Sequence, residues 1–181
     1  MNGSAAPLTL TIDRMPTPIG VSLLAVDAKG ALCALDWDEY EDRLERLVAR
    51  FGGAVRLVEG EAPAVRALLE RYFSGDLAAL DAIEIRTLGG TPFQRRVWTA
   101  LRAIPAGTTT SYGALARLLD VPGAMRAVGM ANGANPIGVV VPCHRVIGAD
   151  GTLTGYGGGL ERKSWLLRHE GALPPAVPEL F

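Results

Sequence analysis

Ser111-Tyr112-Gly113-Ala114-Leu115-Ala116-Arg117-Leu118-Leu119, followed by Asp120-Val121-Pro122-Gly123 and then Ala124-Met125-Arg126-Ala127-Val128-Gly129-Met130-Ala131, decides how the second half of this chain folds. Leu115, Leu118 and Leu119 recur at helical spacing and face inward in a helix that begins at Ser111, and Val121-Pro122-Gly123 ends that helix. A second helix over 124–133 puts Ala124, Ala127, Val128 and Ala131 on its buried side and leaves Arg126 on the opposite face. Two short helices joined by a glycine-containing turn predict a helix-turn-helix, whose second helix normally meets DNA. Two core helices of an ordinary helical domain would carry the same pattern, so the flanking sequence has to choose.

Upstream, Thr91-Pro92 is an N-cap residue followed by proline at the first helical position, and Phe93, Val97, Leu101 and Ile104 then fall on one face before Pro105-Ala106-Gly107 stops the helix. Downstream, Asn135-Pro136 ends the second helix of the pair, and a short apolar run over 137–141 reads as fully buried. It delivers Pro142-Cys143-His144-Arg145-Val146 at its end. Residues 89–171 thus read as a mainly helical domain, with 172–181 as a frayed, proline-rich tail.

The first half is different in kind. Alternating Leu8, Leu10 and Ile12, then apolar runs over 21–26 and 31–37, predict three strands of a meander, with turns at Pro16-Thr17-Pro18 and Asp27-Ala28-Lys29-Gly30. Leu44, Leu47, Val48 and Phe51 repeat at helical spacing, as do Val65, Leu68, Leu69 and Tyr72, with a short strand over 54–58 between them. Residues 1–88 are therefore expected to form an α/β domain, a small sheet with helices.

The net charge of -1 hides a segregation. Residues 1–90 hold 9 Lys and Arg against 14 Asp and Glu, whereas residues 91–171 hold 9 against 4. A basic second half points toward a polyanion and an acidic first half toward solvent. Cys33 and Cys143 are the only cysteines and His144 and His169 the only histidines, which leaves no disulfide framework and no zinc spacing. No apolar run approaches the roughly 20 residues of a membrane span, and no secretory signal is evident, so a soluble cytoplasmic protein with reduced thiols is expected. There is no phosphate loop or dinucleotide fingerprint either, and neither cofactor nor metal is expected.

Pro142 to Val146, preceded by Asn135-Pro136 and followed by Gly155-Tyr156-Gly157-Gly158-Gly159, resembles the 6-O-alkylguanine-DNA alkyltransferases, also called methylated-DNA-protein-cysteine methyltransferases. Thr91-Pro92-Phe93-Gln94, Val97-Trp98, Ile104-Pro105, Ser111-Tyr112-Gly113, Arg126-Ala127-Val128-Gly129 and the run from Leu166 to Glu170 are similar to that family in the same order. The resemblance is close over residues 88–171 and one of pattern only before that. It implies a ribonuclease H-like first domain, a winged-helix-like second domain, and stoichiometric transfer of an alkyl group from 6-O-alkylguanine, and from 4-O-alkylthymine, in double-stranded DNA to Cys143.

The residues themselves fit that chemistry. Displacement at an alkyl carbon needs a soft nucleophile, and a free thiol, with a pKa near ~8.5, needs a base or a positive field to become thiolate. His144 and Arg145 are the local candidates, although neighbours on an extended segment point apart, so Cys143 and His144 would communicate through a turn or a bridging water. The resemblance implies that Glu170 orients His144 and that Asn135 ties together the turn beside Cys143. It also implies that Arg126 fills the gap left by a flipped base, that Tyr112 assists flipping and donates to the departing base, and that the helix enters the minor groove. Val146 through its carbonyl, with Tyr156, Gly157 and Gly158, would form the base pocket.

Three positions depart from the family. Gly157 stands where members often carry Ser or Ala, Met125 where alanine is usual, and Gly138 where some have proline, which could widen the pocket for bulky alkyl groups. Cys33 reads as a small buried hydrophobe, Trp98 and Trp165 as core residues, and His169 as lying on the surface of the last helix. The protein is expected to be a monomer when free, with cooperative binding along DNA left open. Two rival classes are a non-catalytic winged-helix protein that recognises alkylated DNA, and a multiple-turnover hydrolase using Cys143 and His144.

Overall fold

In the computed structural model, which describes residues 7–52 and 55–175, the expected meander forms from β1 (Leu8–Thr17), β2 (Gly20–Val26) and β3 (Leu32–Trp37), paired antiparallel. The first turn is at Pro18-Ile19 and not at Pro16, because β1 runs on and pairs Pro16 with Val21. Proline is tolerated there because β4 (Val55–Glu59) pairs, in parallel, only with Leu8 to Ile12, so beyond Ile12 the second edge of β1 has no ladder bond from β4 to lose. The resulting order is β3-β2-β1-β4, with α1 (Glu41–Gly52) carrying the chain from β3 to β4. Position 54 and the side chain of Phe51 lie outside the described residues.

Strand alternation gives this sheet two apolar faces. Leu10, Ile12, Leu23, Ala25 and Cys33 pack beneath Leu44 and Val48 of α1. Cys33 is therefore the inert core residue expected of it, its thiol pushed up to about 11 by burial. The opposite face, with Met15, Leu24, Val26, Leu32 and Leu35, packs against α2 (Pro63–Phe73) and against the second half of the chain in one continuous apolar cluster. Backbone bonds seal the contact, Leu35 N–H donating to Pro136 O at 2.9 Å and Gly138 N–H to Leu35 O at 3.1 Å.

The second half begins with α3 (Pro92–Arg102), started by a reciprocal capping box in which Thr91 Oγ1 accepts from Gln94 N–H and Gln94 Oε1 accepts from Thr91 N–H. Val97, Trp98 and Leu101 are buried by it. α4 (Tyr112–Leu118), capped by Ser111, and α5 (Met125–Gly133) form the expected helix pair. Two inward assignments are corrected. Leu118 is 70% exposed, since α4 is only two turns long and closes its contacts through Leu115, Ala116 and Leu119. Ala127 is also exposed, because the buried stripe of α5 is centred on Val128, Ala131 and Asn132. β5 (Thr110–Ser111) and β6 (Val146–Ile147) pair in parallel, tying the segment after Cys143 to the start of α4.

α6 (Leu160–His169) ends at Glu170, with Gly171 in the left-handed region at φ 77°. Ala172 and Leu173 N–H both donate to Leu167 O, so the first residues of the expected tail are docked on α6; residues 176–181 lie outside the described residues. His169 is not a free surface residue: it stacks on Trp165 at 4.8 Å and bonds through Nε2 to Tyr72 O at 2.7 Å. Trp98 is buried as expected, whereas Trp165 is only half-buried. Among the described residues no helix is long and apolar enough to cross a membrane.

Candidate active site

Cys143 lies at the end of the buried run over 137–141, on a single 3-10 turn, Cys143–Arg145, rather than on an extended segment. Of the two links expected between Cys143 and His144, a turn or a bridging water, the turn is the one the backbone forms. It is fixed from behind by Asn135, whose Nδ2 donates to Val141 O at 2.8 Å and whose Oδ1 accepts from Ile137 N–H at 3.0 Å. Between those anchors Val139 takes φ 65°, an uncommon conformation for a β-branched residue. Such strain persists only where surrounding contacts over-determine it, and here Val139 is fully buried between the two anchors.

Around the turn is a buried polar network. His144 is fully buried, and its Nε2 is 2.9 Å from Glu170 Oε1. Arg145 donates to both carboxylate oxygens, from Nε to Oε2 and from Nη2 to Oε1 at 2.8 Å each, and from Nη1 to Ile104 O. Tyr72, on α2, donates its hydroxyl to Glu170 Oε1 at 2.8 Å. Burial alone would raise the Glu170 pKa, but the bonds from His144 and Arg145 outweigh it, and the carboxylate is held well below its usual range. Burial pushes the His144 pKa down, so the imidazole is neutral. An ionised Glu170 accepting at Nε2 assigns the proton to Nε2 and the lone pair to Nδ1, which has no hydrogen-bond partner among the described residues.

Cys143 is buried, 8% exposed as a residue. Burial raises its pKa, opposed by Asn135 and by the charge of Lys163. Lys163, fully buried on α6, donates from Nζ to Val146 O and Thr154 O at 2.6 Å each, and burial lowers its pKa to about 8.

A cavity of about 280 Å³ opens onto Cys143. Tyr112, Gly129 and Asn135 line one side of it, and Tyr156, Gly157 and Gly158 another. Arg126 is exposed on α5 beside an adjoining concavity that shares Tyr112 and Gly129 with the first. The structure thus brings Cys143, His144, Glu170 and Asn135 together, gathers Tyr112, Tyr156, Gly157 and Gly158 around the cavity, and leaves Arg126 outside it. Val146 is buried behind the wall, its carbonyl taken by Lys163.

Sequence reasoning missed Tyr72, Lys163, Asp36, Trp37 and Arg43, the last three being cavity-lining residues from the first half. Tyr72 and Trp37 carry only the signal of an apolar pattern, and nothing local marks Lys163. One expectation about cavity size is also revised. Gly138 does line the cavity, but a proline there would lose the N–H bond to Leu35 O, so Gly138→Pro would disturb β3 as well as narrow the pocket.

A buried cysteine followed by a neutral, carboxylate-oriented histidine, lining a cavity beside the α4–α5 helix pair, defines a protein that presents a thiol next to two short helices. The model of the 6-O-methylguanine DNA methyltransferase DNA-binding domain matches residues 92–172. The methylated-DNA-protein-cysteine methyltransferase of Salmonella typhimurium is 52% identical over 169 residues, covering 92% of this chain and 98% of that protein. The structure of Mycobacterium tuberculosis OGT in complex with DNA superposes with a TM-score of 0.73 at 39% identity, over 91% of this chain and 94% of that one. The O6-methylguanine-DNA methyltransferase of Pyrococcus kodakaraensis superposes with a TM-score of 0.71 at 27% identity, over 90% and 99%. The chain belongs to the methylated-DNA-protein-cysteine methyltransferase family.

Proposed function

We propose that this protein repairs DNA by direct reversal, taking the alkyl group of a 6-O-alkylguanine, and of 4-O-alkylthymine, onto Cys143 in a single turnover. The observation that carries this reading is a buried cysteine that lines a cavity, one residue before a histidine whose Nε2 is committed to Glu170 and whose Nδ1 lone pair is uncommitted. Burial keeps Cys143 as a thiol at rest, which suits a nucleophile that reacts once. In the reaction the Cys143 proton passes through a bridging water to His144 Nδ1, and Glu170 stabilises the imidazolium that forms. The Cys143 Sγ–carbon bond forms as the carbon–oxygen bond breaks, with the Tyr112 hydroxyl donating a hydrogen bond to the departing base as negative charge develops there; the base then takes up a proton from solvent as the imidazolium releases the one it received from Cys143. The thioether product has no leaving path by hydrolysis, so the protein is consumed.

A base within a duplex has to be rotated out to reach a thiol at the floor of a cavity, at a cost of a few kcal/mol. Arg126 fills the vacated stack. The exposed face of α5 places Gly129 and Gly133 beside Arg126, which favours close approach to a minor groove. Residues 89–171 would do the binding and the chemistry, with α4 and α5 as a winged-helix-like reading pair, and residues 1–88 would support them. A three-strand meander followed by a helix and a fourth strand parallel to the first supports a ribonuclease H-like reading of that half. The protein would act as a monomer when free and work in the cytoplasm.

The test is intact-protein mass spectrometry after mixing with a duplex containing 6-O-methylguanine, followed by peptide mapping. One added methyl per molecule, on Cys143, is the expected result; an unmodified protein that still bound the duplex would leave only a binding role.

A further inference from the structure

The base pocket is walled on one side by the 155–159 loop, and the two carbonyls at its tip are each gripped by an arginine anchored in the acidic first half. Arg43, on α1, donates from Nη1 to Gly157 O at 2.6 Å while its Nε and Nη2 form a bidentate pair with Asp36 on β3. Arg162, on α6, donates from Nη1 to Gly158 O at 3.0 Å and from Nε to Ile19 O at 2.7 Å, and pairs with Glu39. Each guanidinium also stacks on a ring, Arg43 at 4.2 Å from Tyr40 and Arg162 at 4.5 Å from Trp37. Gly158 is pressed against Trp37 so closely that a Cβ there would come within 2.5 Å of the indole nitrogen.

We propose that Arg43 and Arg162 act as a clamp of positioning residues that holds this loop against Trp37 and thereby sets the size of alkyl group the pocket takes. The inference rests on reading the cavity as the base pocket. Only a planar fork can hold a carboxylate and a carbonyl at once in this way; a lysine at position 43 would have to choose between Asp36 and Gly157. The clamp also gives the acidic half a part in the chemistry, because Asp36 and Glu39 fix the arginines that fix the wall. A held wall confines a methyl group close to Cys143, whereas a released wall gives up that confinement and admits larger groups.

The experiment compares alkylation rates of Cys143 by duplexes carrying 6-O-methylguanine or 6-O-benzylguanine at one position, so that flipping demands are shared. The variants are Arg43→Met, Arg43→Lys, and Arg43→Met combined with Asp36→Asn, the last leaving no unpaired buried carboxylate and so guarding the fold. In Arg43→Met and the double variant the methyl rate should fall about tenfold, the size expected of one charge-assisted hydrogen bond, while the benzyl rate holds; Arg43→Lys should lie between. Equal losses on both substrates, or no change in either, would overturn the clamp. Absence of alkylation of the wild-type chain by either duplex would instead overturn the base-pocket reading, and the clamp with it.

Discussion

The two halves of this molecule meet at one site from opposite directions. The second half supplies the groups proposed to react, Cys143 and His144 on a tight turn and Arg126 on an exposed helix face. From the first half come the groups that hold them: Tyr72 on Glu170, Arg43 on the glycine loop, and the Leu35 backbone on either side of Ile137. Reacting groups have to meet substrate and so sit at the cavity, whereas holding groups work best where water is excluded, deep between packed layers. The comparison teaches that the acidic half is more than a solubilising appendage, since a continuous apolar cluster and several polar bonds pass from it into the site.

If that division holds, substitutions in the two halves should fail differently. Cys143→Ala should abolish transfer altogether, measured as methyl incorporation from a 6-O-methylguanine duplex, while leaving the thermal midpoint and duplex binding close to wild type. Glu170→Gln breaks a buried pair and leaves the Arg145 guanidinium unneutralised, so it should cost about 3–5 kcal/mol in urea unfolding as well as slowing transfer. A stability close to wild type would show that Glu170 is not the junction of the two halves. Arg126→Ala should act only on duplex, slowing repair there by about a hundredfold through the lost flipping free energy and leaving the reaction with free 6-O-benzylguanine unaltered. Equal losses on both would remove Arg126 from that role.

Acid should act through the same junction. The Glu170 pKa is depressed in the folded state, so its contribution to stability is complete above its ordinary value of 4.5 and is lost as pH falls from there toward the lower folded value. The urea midpoint should therefore drop as pH is lowered below about 4.5, and the drop should be shallower in Glu170→Gln. Tyr72→Phe is the finest probe of the first half's reach. It removes one hydrogen bond to a charged carboxylate across the contact between the halves, and should cost about 1.5–3 kcal/mol of stability with Cys143 still competent for transfer. An unchanged midpoint would show that the Tyr72 bond adds nothing to the contact between the halves.

Much of this site was legible in the sequence because its elements are local. The cap at Thr91, the turn after α4 and the stop at Asn135-Pro136 each depend on residues within a few positions of one another, and each forms where its pattern placed it. Leu118 and Ala127 lie outward, against their helical spacing, because that spacing gives a face but not its width, which the elements packed on each helix determine by what they cover. At Cys143 local pattern left a turn and a bridging water both open, because the bonds from Asn135 that help hold the turn reach across six residues.

By itself the sequence determined the order of elements, the charge asymmetry, the helix pair and the identity of the thiol, because capping, periodicity and chain reversal are short-range interactions. Only the tertiary structure decided that Tyr72 and Arg145 share Glu170, that Lys163 is buried against three backbone carbonyls, and that Arg43 and Arg162 grip consecutive glycines. Those pairings join residues up to 114 positions apart, as between Arg43 and Gly157, and a side chain's partner at that range is set by how the sheet and helices pack, which no local pattern encodes.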